Sequence, residues 1–129
     1  MLSAHATATE NLTKEYRRAV DASALVSVTD PRGIITHVND RFCAVSGYAR
    51  EELVGKPHNV VRHPDTPSST FVEMWSTIKS KNAWHGVLKN RKKDGGSYRV
   101  STTISPILGL NGEIREYVSM RWEIPGESL

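Results

Sequence analysis

An α+β fold, with five antiparallel strands and short helices gathered on one side of the sheet, is predicted by three observations. β-branched runs at 24–29 and 34–38 flank a turn holding Pro31 and Gly33, which reads as a hairpin. Later in the chain Tyr98, Val100, Thr102 and Ile104 alternate with Arg99, Ser101, Thr103 and Ser105, the two-residue period of a strand. Between these β regions lie short helical patterns, broken repeatedly by glycine and proline. At 129 residues and 38% apolar content the chain suits one domain with a modest core.

The elements follow in order. Residues 1–9 are small and polar without periodicity and are expected to form a loose lead. From Glu10 to Asp21 the residues favour helix, with Leu12, Tyr16, Ala19 and Val20 on a narrow stripe that must pack on the domain or on a second copy. After the hairpin, Asn39 or Asp40 caps a helix with Phe42, Cys43 and Val45 on its apolar side, ended by Gly47. A second short helix covers Ala49 to Leu53 and stops before Gly55. Pro57 opens a single turn over His58 to Arg62, and Pro64 and Pro67 break it.

Thr66 is the expected cap of the next helix, whose face is Phe71, Met74, Trp75 and Ile78. Trp84 to Asn90 reads as a strand, and 92–96 as a turn. Pro106 ends or edges the alternating strand, and 109–112 supply an Asn-Gly turn signal. In the last strand Ile114, Val118, Met120 and Trp122 share one face. The expected organisation is a lead and flanking helix over 1–22, a folded domain over 23–124 and a linker fragment over 125–129.

Charge and cysteine content narrow the function. A net charge of +3 with 24% charged residues is ordinary for a soluble protein and does not call for nucleic acid. Cys43 is the single cysteine, so no internal disulfide can form and the cytoplasm is the default compartment. No apolar run approaches the roughly 20 residues that span a bilayer, and residues 1–10 lack a signal-peptide pattern, so no direct membrane contact is expected of this stretch. There is no nucleophile–base motif and no phosphate loop, so no enzymatic activity is expected.

The chemistry concentrates between Gly55 and Trp75, where two histidines, an arginine, an asparagine and an aspartate stand among prolines before an amphipathic helix. His58, His63 and Asp65 lack the Cys or His partners of a metal site, so no metal is expected. By pattern alone Trp75 fills the core, Asp65 caps a helix, and Arg62 pairs with Glu73 or Asp65 on the surface.

Two phrases identify the family. Thr29 to Asn39, and Ser46-Gly47-Tyr48-Ala49-Arg50-Glu51-Glu52-Leu53-Val54-Gly55, resemble the first hairpin and the helical crossover of PAS sensory domains. The resemblance covers about residues 23–123 and implies the PAS fold. His58 to Pro67, Met74-Trp75, Trp84-His85-Gly86 and 89–95 are similar to the subgroup found in bacterial aerotaxis receptors and in related diguanylate cyclases and histidine kinases.

That resemblance implies FAD held noncovalently, with Asn39, His58, Arg62, His63, Asp65 and Trp75 as its contacts, and a role in reporting redox or oxygen status to an attached output domain. From its own stripe, the N-terminal helix is also expected to make a homodimer together with the sheet. The alternatives are haem on His58 or His63, or a cofactor-free interaction module. The Asn-Cys-Arg-Phe phrase of covalent light-sensing flavin domains is missing, and Cys43 lies in a different helix. A flavin ring suits an apolar slot with one aromatic face and a few polar groups, which Trp75 and Asn39 can offer, while the fork of Arg62 matches a diphosphate.

Overall fold

The computed structural model of the protein describes residues 2–125, with side-chain surroundings from residue 11 onward. Apart from Pro125, the linker expected at 125–129 therefore lies outside the described residues. Helix α1 (Leu2–Ser23) leads into β1 (Leu25–Thr29) and β2 (Ile35–Val38). Two short helices, α2 (Asp40–Ser46) and α3 (Arg50–Leu53), precede a single 3₁₀ turn (His58–Val61) and α4 (Ser68–Lys79). Strands β3 (Trp84–Arg91), β4 (Ser97–Leu108) and β5 (Ile114–Glu123) complete one antiparallel sheet in the order β2-β1-β5-β4-β3.

Each boundary has a local cause. Asp30 closes the first hairpin by accepting the Arg32 and Ile34 amides on Oδ1, and Gly33 takes the left-handed φ of 89° that the turn requires. Asn39 caps α2 by accepting the Phe42 amide at 3.0 Å, and Gly47 ends it in the left-handed conformation with its amide on Cys43 O. In the β4–β5 turn Asn111 Oδ1 accepts the Glu113 amide, and the Gly109 and Glu113 backbones close the loop.

The core is one-sided. Leu25, Val100, Ile104, Leu88 and Tyr117 from the sheet pack with Ile35, Val38, Phe42, Leu53, Val61, Met74 and Ile78. Full burial of such side chains contributes about 1.5–3 kcal/mol each. Trp84 lies along β3 over Gly86, where an added Cβ would meet the indole at 2.5 Å, so only glycine leaves room for the ring. On the opposite face of the sheet Val87 and Trp122 stand exposed.

Three expectations about the elements are corrected by the structure. Residues 2–9 continue α1 rather than forming a loose lead; four alanines and leucines among them favour helix without any amphipathic stripe. Thr66 does not cap α4. Pro67 occupies the cap position, while the Thr66 hydroxyl donates to Lys89 O of edge strand β3 at 2.9 Å.

Of the two readings of Pro106 the edge one fits: β4 runs on to Leu108, and because β3 stops opposite Ile104, Pro106 has a free flank beyond that point and gives up no ladder bond to β3. Ile114 leaves the face shared by Val118, Met120 and Trp122. The register steps from Ile107↔Glu116 to Leu108↔Ile114, and the extra residue in β5 turns Ile114 toward the core cluster.

Candidate functional site

The segment from Gly55 to Thr66 is a strap fixed at both ends. At its start, Gly55 and His58 amides donate to Ile35 O and Gly33 O, and Lys56 O accepts the Ile35 amide. At its finish, the Arg62 backbone bridges to Asn90, and Thr66 bonds Lys89 O. Between strap, α4 and the inner face of the sheet lies a cavity of about 250 Å³. Its walls include His58, Val61 and Arg62 from the strap, Phe71, Met74 and Trp75 from α4, and Leu88, Asn90, Ile104, Tyr117, Ser119 and Arg121 from the sheet.

Two of the wall residues stack or pack by shape. Trp75 meets Tyr117 edge-to-face at 5.8 Å, and an added Cβ on Gly33 would come within 3.0 Å of its indole. The Arg62 guanidinium lies 4.0 Å over the Phe71 ring and its Nη2 donates to Ser68 Oγ. Arg32 of the first hairpin turn, and His58, Asn59 and Arg62 of the strap, are polar residues contributed to this lining from outside α4 and the strands.

On the sheet side of the cavity, Asn90 carries a donor without an acceptor. Asn90 is 3% exposed and its Nδ2 has no partner. It faces Tyr98 across the β3–β4 register, close enough to oppose slightly the burial that raises the Tyr98 pKa, yet the geometry completes no hydrogen bond and the Tyr98 hydroxyl is also unpartnered. Arg121, 4% exposed, donates through Nε to Ser119 Oγ at 2.8 Å.

Burial pulls the Arg121 pKa down to about 10, which leaves it charged at neutral pH. His58 places Nε2 2.9 Å from Ser27 Oγ and its ring edge-on to Phe42 at 5.8 Å. Enclosure by protein, and then the charge of Arg121, push the His58 pKa down to about 3. His58 as a residue is half-buried and lines the cavity. At neutral pH His58 is a neutral imidazole.

Of the six residues singled out in the sequence, His58, Arg62 and Trp75 line the cavity. Asn39 lies outside the lining. Its Oδ1 accepts the Val26 and Phe42 amides and its Nδ2 donates to Ala24 O and Asp21, so it knits α1, β1 and α2 together. His63 and Asp65 also lie outside the lining: His63 Nδ1 accepts the Asp65 amide, and Asp65 pairs with Lys89 at 3.0 Å, a bond that lowers its pKa.

Asn90, Ser119 and Arg121 were not singled out. Asn90 had a signal, since it shares parity with buried Trp84 and Leu88, which makes it a polar residue on an apolar face. Arg121 had none, because the apolar residues of β5 point the other way.

Comparison with known proteins agrees with this architecture. A family described as the PAS fold matches residues 14–123. The aerotaxis receptor of Escherichia coli (strain K12) is 42% identical over 118 residues, covering 92% of this chain and 23% of the receptor. The nitrogen fixation regulatory protein of Klebsiella pneumoniae is 36% identical over 103 residues, covering 80% of this chain and 21% of its own length.

The chain thus spans less than a quarter of either relative. Among solved structures, a PAS domain from Colwellia psychrerythraea aligns with a TM-score of 0.77 at 24% identity, covering 88% of this chain and 97% of that one. A light-oxygen-voltage domain studied with a flavin analogue aligns with a TM-score of 0.79 at 19% identity, covering 91% and 87%. These two likenesses concern the fold.

Proposed function

Because the chain belongs to the PAS family, we propose that it is the sensory module of a longer signalling protein, holding FAD noncovalently and reporting redox or oxygen status to an output domain. The observation that carries this reading is the cavity under the strap, with an indole wall, a cationic rim and an unpartnered Asn90 donor inside. The cavity of about 250 Å³ would hold only the ring portion of FAD, and Arg32, Asn59 and Arg62 are the lining residues that could bind its sugar-phosphate part. Trp75 and Met74 would supply the apolar wall for FAD, Asn90 would donate to an acceptor on its ring, and Arg62 would bind its phosphates.

When bound, FAD supplies a ring whose charge and proton content change with redox state. The chain's part is to answer that change. Asn90, His58 and Arg121 sit on three different segments, so a ligand that binds them unequally in two states shifts the population of two arrangements. His58 passes such a shift to β1 through Ser27, and Arg121 passes it to β5. Haem is less well served, because His58 Nε2 is engaged by Ser27 and His63 Nδ1 by the Asp65 amide.

The visible spectrum of the purified protein, before and after incubation with FAD, tests this reading. Flavin absorption that survives gel filtration is expected. A colourless protein that also fails to retain added FAD refutes it. Arg62→Ala should weaken FAD retention at least about tenfold, the loss of one charge-assisted phosphate contact. Asp65→Ala should act only through the Lys89 anchor of the strap and cost less.

A second reading is favoured by a separate observation. Leu12 and Tyr16 on α1 are exposed, as are Val87 and Trp122 on the outer sheet face. A homodimer that brings α1 of one copy onto the sheet of another would cover both. Sedimentation of the wild type against Tyr16→Glu tests it, and a wild type that stays monomeric at high concentration rejects it.

A further inference from the structure

Arg121 is a buried charge with no counter-charge. Its side chain is 4% exposed, its Nε is used by Ser119, and among the described residues no carboxylate pairs with it. The walls of the cavity it faces contain Arg32 and Arg62 but no aspartate or glutamate. Asn90 adds a buried donor, Nδ2, without an acceptor. A cation removed from water without a compensating anion is costly, and folding keeps this one. The missing partner is complementary in both charge and hydrogen bonding, and the Trp75 and Met74 walls give it a flat apolar body.

We propose that Arg121 makes this cavity selective for a planar ligand bearing a delocalised negative charge. The inference rests on the cavity described under the proposed function and names the charge of its occupant. Where that occupant is a flavin, the favoured form is the one whose ring has ionised. His58 reads the same charge.

The groups that face the His58 ring are Ser27 from β1, Phe42 from α2 and Arg121 from β5. Arg32 and Arg62 add positive charge to the same cavity, Arg32 being paired with Asp30. An anion against Arg121 removes the repulsion that disfavours the imidazolium. Anion binding and His58 protonation therefore strengthen each other, as linkage requires.

Benzoate and benzamide, flat molecules of one shape that differ in charge, provide the test. Each is titrated into the ligand-free full chain carrying ¹³C-labelled histidine, with the His58 ring signals as the readout. Benzoate should bind at least about tenfold more tightly than benzamide, and should raise the pH at which His58 titrates. Arg121→Gln should abolish the preference and Arg121→Lys should keep it.

Equal binding of the two probes to the wild type, no binding of benzoate, or a preference that survives Arg121→Gln would overturn the proposal. The wild-type comparison stands whether or not a variant folds. FAD retention on the same sample is a separate result: a protein that prefers benzoate and rejects FAD upholds the charge selectivity while removing the flavin reading. One that retains FAD but treats both probes alike does the reverse.

Discussion

Replacing Asn39 by alanine should destabilise the domain by about 3–7 kcal/mol, a large share of the 5–15 kcal/mol typical of a whole domain. The side chain makes three buried bonds: Oδ1 accepts the Val26 and Phe42 amides at 3.0 Å, and Nδ2 donates to Ala24 O at 2.9 Å. Loss of the α2 cap costs about 1 kcal/mol. Leaving the Val26 amide and the Ala24 carbonyl unpaired in a buried site costs about 1–3 kcal/mol each.

Urea unfolding followed by far-ultraviolet circular dichroism measures the sum, and with a slope of about 1–3 kcal/mol per molar the midpoint should fall by about 2 M. Asp21→Ala, which removes only the outermost 3.2 Å bond, is the control and should change the midpoint little. A loss below about 1 kcal/mol for Asn39→Ala, accompanied by loss of FAD retention, would refute the structural role and return Asn39 to the ligand contacts.

Other outcomes follow from the same geometry. His58 is neutral in the folded state, with a pKa near 3 against 6.5 for the free side chain, so the unfolded chain binds one more proton between these values. Stability should therefore fall as pH drops from 6.5 toward 3, with a limiting slope of about 1.4 kcal/mol per pH unit. Asp30, Glu52 and Asp65, whose pKa values are lowered from 3.8, 4.5 and 3.8, add loss in the same direction at the acid end, so the slope is best read above pH 5. A His58→Phe variant with an unchanged slope there would contradict the assignment. Gly33→Ala combines a left-handed φ with a Cβ 3.0 Å from Trp75. It should cost about 1–3 kcal/mol in thermal unfolding, and a variant as stable as the wild type would show that Trp75 moves freely.

How much of this was legible in the sequence depended on whether burial and polarity agreed. The alternation of Tyr98, Val100, Thr102 and Ile104 was readable because its apolar side is the buried side. The hairpin, the Asn39 cap and the Gly47 stop were readable because glycine and asparagine have few other uses at such places. In β5 the relation is inverted. Tyr117, Ser119 and Arg121 are buried while Val118 and Met120 are half exposed, so the hydrophobic pattern pointed away from the cavity.

Thr66 failed for a different reason. A hydroxyl before a helix has two possible acceptors or donors to choose from, and the free carbonyl of an edge strand 23 residues away does not show in local sequence. Of the five residues singled out between Gly55 and Trp75, His58, Arg62 and Trp75 line the space under the strap, while His63 and Asp65 are engaged within the strap and with Lys89.

The position of β5 in the sheet, between β1 and β4, makes the domain unusually sensitive to a change of frame. Each step along this strand crosses from the interior to the surface. A deletion of one residue after the bulge at Arg115 would exchange the two sides wholesale, drawing Val118, Met120 and Trp122 inward and expelling Ser119 and Arg121. The result would be better as a hydrophobic core and useless as a receptor. What distinguishes this sheet from an ordinary greasy one is therefore a phase, and a single amino acid of slippage would erase it.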